Sequence, residues 1–187
     1  MRWNDHSRLS GQHAFLSASK HSWLNYDQDR LVEAFRASQA AAMGTRLHAL
    51  AAEHIRLELR MPKNRNTFNQ YVNDAISLRM TPELVLYYSE NVFGTADAIA
   101  FDTRKKLLRV HDLKTGTTRV SMAQLEIYAA LFCLEYEVRP GEIRNELRIY
   151  QNDEVLVEEA ETDLVAHIMD RIVTFDKLID EIKAEEE

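Results

Sequence analysis

Two strand-forming segments joined by a very short polar loop constrain the fold of this chain more than any other feature. Residues 95–102 and 107–113 have the composition of strands, and only the four polar residues 103–106 separate them. A loop of this length joins neighbouring antiparallel strands. Residues 83–92 precede them and are also rich in strand-favouring side chains. The sequence therefore predicts three consecutive strands, of which the last two form a hairpin.

Helical segments flank these strands. Residues 29–60 are rich in Ala, Leu, Glu and Arg, which favour helices, and a helix is also expected to start at Ser17-Ala18-Ser19. The other predicted elements are helices over 67–78 and 121–136 and short strands over 146–150 and 155–159. This order predicts an α+β fold with a mixed sheet, in a single domain of residues 1–187.

The last segment of the chain has one regular apolar stripe. The stripe is spaced alternately by three and four residues and consists of Val165, Ile168, Ile172, Phe175, Ile179 and Ile182. This spacing predicts an amphipathic helix that packs on the domain core. The same repeat also suits a coiled coil, so a homo-oligomer formed through this helix is the alternative.

Charge and cysteine content exclude several classes of protein. The single cysteine, Cys133, excludes an internal disulfide, a cysteine-rich zinc site and a Cys-ligated iron–sulfur cluster. No apolar run reaches the ~20 residues that cross a bilayer, so we expect an intracellular protein without membrane association. The net charge of −7 is unlike that of a protein that coats DNA. Contact with nucleic acid would require a local basic patch or bound cations.

The predicted hairpin brings two carboxylates together. If the four loop residues are unpaired, Asp102 lies opposite Leu107, and counting back places Asp97 opposite Asp112. The same register places Thr95 opposite Lys114, which shares a face with Asp112. Like charges in this position repel each other, and a cation between them would stabilise both. Mg²⁺ prefers such oxygen ligands and keeps several waters that a phosphate can displace.

Two helices offer further candidate residues. His48 is a candidate third metal ligand, because a neutral imidazole suits that role. Glu53 ranks below it, since five positions place the two side chains about 140° apart around a helix. Gln124 and Tyr128 share one face of a later helix, where Gln124 would bind a nucleotide or orient Lys114 and Tyr128 would pack beside it or stack on a base.

Four motifs in order resemble those of the PD-(D/E)xK nuclease superfamily, in particular its RecB-type and phage-encoded exonuclease-like branch. They are Gly44-Thr45-Arg46-Leu47-His48, Gly94-Thr95-Ala96-Asp97, Asp112-Leu113-Lys114-Thr115-Gly116, and Gln124 with Tyr128. The early Leu16-Ser17-Ala18-Ser19 followed by Trp23-Leu24 also resembles the start of such proteins. The matches span residues 16–128. Some relatives carry a cluster-binding cysteine after the Trp-Leu pair, whereas this chain has Asn25-Tyr26-Asp27, so no iron–sulfur cluster is expected.

The resemblance implies a restriction-endonuclease-like core of helix, three antiparallel strands, helix and strand, with additional helices at both ends. It implies that Mg²⁺ or Mn²⁺ is bound by His48, Asp97, Asp112 and the backbone carbonyl of Leu113. It also implies that Lys114 positions and activates the attacking water, so that the catalytic residues are Asp97, Asp112 and Lys114. The residues expected to contact nucleic acid are Gln124, Tyr128, Thr95, Thr115 and Ser19.

These observations favour a metal-dependent deoxyribonuclease. By analogy with the family it resembles, the preferred subtype is an exonuclease of phage or repair recombination, in the cytoplasm of a bacterial or phage-infected cell. The alternative is a nuclease fold that binds nucleic acid or protein without turnover, which the acidic surface and the C-terminal stripe favour. A metal-dependent phosphatase or another small-molecule hydrolase fits less well. The chain has no Gly-rich phosphate loop, nucleophile elbow or HExxH motif.

Overall fold

The computed structural model describes residues 14–118 and 120–186, which include a five-stranded sheet and four α-helices. The strands are β1 (Thr81–Ser89), β2 (Val92–Asp102), β3 (Leu107–Leu113), β4 (Arg144–Gln151) and β5 (Glu154–Glu158). The helices are α1 (Gln28–Arg56), α2 (Thr67–Ser77), α3 (Ala123–Glu135) and α4 (Thr162–Glu186), with 3₁₀ segments at Ala18–Asn25 and Pro140–Glu142.

The chain forms two compact units, Met1–Thr45 and Arg46–Glu187. In the described part of the first unit, the segment predicted to be a helix from Ser17 is 3₁₀, and the Ser17 side chain makes no capping hydrogen bond. Instead, the Ser17 carbonyl accepts a hydrogen bond from the Trp23 indole at 2.9 Å. Phe15 packs edge-on against Phe35 with 5.2 Å between ring centroids.

The sheet of the second unit follows the chain in the order β1-β2-β3-β4-β5. Neighbouring strands are antiparallel except β3 and β4, which are parallel and are connected through α3. The predicted α+β class with a mixed sheet is therefore confirmed. The hairpin register is also confirmed from Asp102 opposite Leu107 to Ala98 opposite His111, where the ladder between β2 and β3 ends.

Each face of the sheet has its own apolar core. Helix α3 buries Leu125, Ala129 and Cys133 with sheet residues such as Leu108 and Val110. The opposite core joins the end of α1 and helix α2 to β2, β3 and β4, and contains Ala51, Val72, Ala98, Leu113 and Tyr150. The middle of β2 and the end of β3 thus lie between two packed layers. This arrangement fixes the backbone from which the candidate site is built.

Helix α4 uses its apolar stripe in two ways. Val165 is buried, and Ile168 and Ile172 pack against the α3 core. Phe175 and Ile182 continue the stripe but remain about half exposed, at 46% and 47%. Core packing is thus confirmed for the first part of the stripe, and the oligomer remains a prediction for the second. No helix among the described residues is long and apolar enough to cross a membrane.

Asp176 ties the exposed half of α4 to the β1–β2 turn. Its carboxylate accepts hydrogen bonds from the Ser89 hydroxyl and from the Asn91 amide, the latter at 2.9 Å. These two bonds lower the pKa of Asp176 below its usual value. The contact therefore joins two segments that are distant in sequence.

We expect Asp176→Ala to lower the melting temperature, because the Ser89 hydroxyl loses this acceptor and the Asn91 amide keeps only Asp180. Asp170→Ala, a change at an exposed position of the same helix, is the control and should have little effect. Thermal unfolding followed by circular dichroism at pH 7 measures both. Equal melting temperatures for the two variants would contradict a structural role for this contact.

Candidate metal centre

Asp97 lies in the middle of β2, at the point where the ladder to β3 stops. Its Oδ2 accepts a hydrogen bond from the backbone N–H of Leu113 at 2.9 Å. The side chain thus replaces a backbone acceptor between the two strands. Leu113, predicted to supply a carbonyl ligand, is placed directly beside Asp97 by this bond, and its role as a ligand remains a prediction.

His48 and Glu83 approach the same carboxylate. His48 Nδ1 lies 3.2 Å from Asp97 Oδ2, and this contact raises the pKa of His48 despite partial burial. One ligand atom from each of His48, Glu83 and Asp97 lies within 4.8 Å of the others. The predicted pair His48 and Asp97 is therefore brought together, with a second carboxylate that the sequence reasoning missed.

Glu83 reaches this position from an unusual backbone conformation. Its φ is +52°, in the left-handed region that residues with a Cβ rarely adopt. The neighbouring pairs, Pro82 with Ala98 and Leu84 with Ala96, place it across from Asp97. Residues in strained conformations cluster at functional sites, because the surrounding structure must hold them there. Its strain and its position beside Asp97 make Glu83 a candidate ligand.

Asp112 and Lys114 form an ion pair at the end of β3. Lys114 Nζ lies 3.1 Å from Oδ1 and 3.0 Å from Oδ2 of Asp112, but only the contact with Oδ1 has hydrogen-bond geometry. Oδ2 is buried and has no hydrogen-bond partner among the described residues. Burial, together with the nearby charge of Asp97, raises the pKa of Asp112 in spite of the lysine.

A chain of hydrogen bonds connects Lys114 to helix α3 and back to β2. Lys114 Nζ donates to Gln124 Oε1 at 2.8 Å, and Gln124 Nε2 donates to the Tyr128 hydroxyl at 3.2 Å. Tyr128 donates to the backbone carbonyl of Thr95 at 2.6 Å. A Cβ at Gly94 would lie 3.0 Å from Tyr128 Cε1, so glycine permits this close packing. The structure thus brings Gln124 and Tyr128 to Lys114, as one of the two predicted roles of Gln124 requires.

The remaining predicted residues do not belong to the cluster of His48, Glu83 and Asp97. Thr115 is exposed and lines a cavity of about 240 Å³ together with Lys114, Leu47 and Phe68. Glu53 is exposed and does not belong to the cluster of His48, Glu83 and Asp97. Ser19 belongs to the first unit, where its hydroxyl contacts that of Ser17. The nucleic-acid contacts of Ser19, Thr95 and Thr115 remain predictions.

A buried histidine lies directly before Asp112 in β3. His111 is fully buried, and its Nδ1 lies 3.2 Å from the Tyr150 hydroxyl, which donates to Asp74 at 2.7 Å. Burial, helped by the charges of Arg148 and Arg109, lowers the pKa of His111 to about 3. The imidazole is therefore neutral in the folded protein at neutral pH.

This histidine should make the fold sensitive to acid. In the unfolded chain the pKa of His111 returns to about 6.5, so the unfolded state binds the extra proton as the pH falls from about 6.5 towards 3. The free energy of unfolding therefore decreases over this window. We expect His111→Gln to flatten the pH dependence, and His167→Gln, at an exposed position, to follow the wild type. Urea unfolding between pH 4 and 7.5 measures the difference; parallel curves for all three proteins would contradict it.

The donor set fits a divalent cation. Asp112 Oδ2 is a buried oxygen without a hydrogen-bond partner, and the nearby cluster supplies two more carboxylates and an imidazole. Carboxylate oxygens suit Mg²⁺ and Mn²⁺, whereas imidazole is also a ligand for softer metals. Burial and the charge of Asp97 oppose the ionisation of Asp112. A bound cation would stabilise the ionised carboxylate against both effects.

Comparison of the chain with protein-family models finds no match, and comparison with curated proteins finds none either. The resemblance to PD-(D/E)xK nucleases therefore depends on the residues themselves. The α+β class of the fold is compatible with that resemblance, and many unrelated families share this class.

Proposed function

We propose that this protein is a metal-dependent deoxyribonuclease with a restriction-endonuclease-like core, which hydrolyses phosphodiester bonds. The observation that carries the proposal is the convergence of His48, Glu83 and Asp97 on one point, near a buried Asp112 that is paired with Lys114. Carboxylates that surround a metal site next to a lysine suit the hydrolysis of a phosphodiester, since they combine a cation with a positively charged donor.

Under this proposal, His48, Asp97 and Asp112 hold Mg²⁺ or Mn²⁺, with the Leu113 carbonyl and Glu83 as further candidate ligands. The bound ion would supply positive charge that polarises the phosphodiester and acidifies water. Lys114 orients the attacking water and offsets negative charge that develops on the phosphate. Gln124 positions the lysine, and the rigid contact of Tyr128 with Thr95 holds Gln124.

The preferred subtype is an exonuclease that acts in phage or repair recombination. Such an enzyme would degrade linear DNA from an end and leave covalently closed circles intact. Thr115, which lines the cavity beside Lys114, and the predicted contacts Thr95 and Ser19 are the residues proposed to bind the strand.

The direct test is an assay of the purified protein on end-labelled linear and circular DNA, single- and double-stranded, with Mg²⁺, Mn²⁺ or EDTA. Metal-dependent release of mononucleotides or short products supports the proposal. Each preparation needs a Lys114→Ala protein purified in parallel, which excludes a contaminating nuclease. Metal-independent DNA binding without any product would instead support the alternative, a binding module without turnover. The absence of both activities would contradict the nuclease and the nucleic-acid-binding module, and would leave the protein-binding form of the alternative.

A further inference from the structure

Three apolar side chains project from the β1–β2 hairpin into solvent. We call Val85, Tyr87 and Phe93 the hairpin strip; their exposed fractions are 50%, 43% and 60%. Tyr87 pairs with Phe93 across the two strands, and Val85 pairs with Thr95. The two aromatic rings are stacked, with centroids 6.5 Å apart and an interplanar angle of 26°. The hairpin thus presents an exposed aromatic platform.

The hairpin strip lies on the same face of β1 and β2 as Glu83 and Asp97. Gly94 faces α3, since a Cβ there would meet Tyr128, and Leu86 and Ala96 are buried in the α3 core. Side chains alternate along a strand, so Phe93 and Thr95 point away from α3. The alternation breaks between Ala96 and Ala98, but the contact of Asp97 with His48 of α1 places its side chain on this face as well. Phe93 precedes Asp97 by four residues, which corresponds to roughly 13 Å along the strand.

Base stacking explains this surface better than an ionic contact does. Carboxylates adjoin the hairpin strip: Glu90 accepts a hydrogen bond from the Tyr87 hydroxyl at 3.2 Å, and Glu135 accepts one from the Tyr87 backbone N–H at 2.9 Å. Glu83 precedes Val85 on the same strand, and the lysine at this hairpin, Lys183, donates to Asn91 in the turn. With a net charge of −7, the chain also lacks the overall positive charge that attracts a phosphate backbone. Aromatic rings, in contrast, bind the uncharged face of any base, provided that the base is unpaired.

We propose that the hairpin strip is a stacking subsite for unpaired bases, and that the substrate of the candidate metal centre is a single-stranded nucleic acid. This inference rests on the proposed function, because the strand must pass from the hairpin strip to the cluster of Glu83 and Asp97. A base on Phe93 would belong to a nucleotide a short distance from the phosphate at the metal. A protein interface would need about 800 Å² from each partner, far more than three side chains supply.

The test measures binding in a Lys114→Ala background, which prevents turnover in Mg²⁺ under the proposed function. The probes are a fluorescein-labelled 20-nucleotide oligothymidine, the same strand with abasic sites, and a 20-base-pair duplex. Fluorescence anisotropy gives the dissociation constants. We expect Phe93→Ala to weaken binding of oligothymidine about tenfold, with a smaller effect for Tyr87→Ala. Phe93→Tyr should retain binding, because the ring is kept.

The matched control is Phe175→Ala, which removes an exposed phenylalanine on α4 and should leave binding unchanged. The parent protein should bind the abasic strand about as weakly as Phe93→Ala binds oligothymidine. Phe93→Ala should bind the abasic strand no more weakly than the parent protein does. Equal affinity of Phe93→Ala and its parent for oligothymidine, or tighter binding of the duplex than of the single strand, would overturn the inference. So would a parent protein that binds no nucleic acid.

Two further measurements separate this inference from the proposed function. The first is the KM for DNA. If the wild type cleaves DNA and Phe93→Ala does so with the same KM, the nuclease proposal stands and the stacking subsite is contradicted. The second is analytical ultracentrifugation of the same variants, which tests whether a second copy of the chain covers the hairpin strip instead. A change in self-association without a change in DNA affinity would assign the hairpin strip to a second copy of the chain and overturn the inference.

Discussion

Lys114→Ala is expected to reduce DNA cleavage by about a hundredfold or more while the protein stays folded. The Lys114 ammonium forms hydrogen bonds with Asp112 and Gln124. Because the side chain is 28% exposed, its truncation leaves no large cavity. Its proposed work lies in the transition state, where it orients water and offsets charge. The loss should therefore appear in kcat far more than in KM.

Initial rates on end-labelled DNA in Mg²⁺ measure this effect, and thermal unfolding confirms that the variant is folded. Lys105→Ala is the matched control, because Lys105 is an exposed lysine in the β2–β3 turn, at the other end of the strand from the candidate site. It should cleave at the wild-type rate. A Lys114→Ala protein that degrades DNA as fast as Lys105→Ala would remove the lysine from the mechanism.

Asp112→Asn is expected to weaken metal binding without lowering the stability of the metal-free protein. The pKa of Asp112 is raised in the folded protein, so its contribution to stability is full below about pH 3.8 and is lost as the pH rises through the folded pKa. At neutral pH without metal, the ionised carboxylate therefore destabilises the fold, and the neutral amide of similar shape relieves this. We expect Asp112→Asn to melt at or above the wild-type temperature in EDTA.

In Mg²⁺ the wild type should have a higher melting temperature than Asp112→Asn. A ligand that binds only the folded state stabilises it by about 2.7 kcal/mol at one hundred times its Kd. The wild type should gain stability on this scale, whereas Asp112→Asn should gain little and should not cleave DNA. Differential scanning fluorimetry across a Mg²⁺ titration tests both parts. Glu154→Gln, at an exposed position on β5, controls for the loss of one negative charge; an equal Mg²⁺ shift in all three proteins would indicate nonspecific binding.

The hairpin was predictable because its signals are local. Four polar residues between two strands fix the register, and the period of two then places Lys114 beside Asp112. The position of His48 near Asp97 is a contact between distant segments. The chemistry of imidazole and the motif resemblance both suggested His48 as a ligand, but neither gave its position. The kind of helix at Ala18–Asn25 was not predictable in the same way, since 3₁₀ and α segments share their composition.

Glu83 was missed for a specific reason. The sequence assigned one strand to residues 83–92 and therefore gave no register for the pairing of β1 with β2. The turn actually lies between Ser89 and Val92, and the register shifts by one residue between Tyr87 and Ser89. Counting back from Ser89 opposite Val92 would have put Glu83 across from Ala98, and only this shift brings it opposite Asp97. Its left-handed backbone has no signal in the sequence, because glycine or asparagine is the residue usually found there.

The hydrogen bonds from Lys114 through Gln124 and Tyr128 to Thr95 have a consequence for how the site would act. They join β3, α3 and β2 into a closed circuit, so the amine already occupies one fixed position before any substrate arrives. The cost of immobilising a long, flexible side chain is thus met when the protein folds, and not again in each turnover. A preorganised charge of this kind can act at full strength the moment a reacting group reaches it.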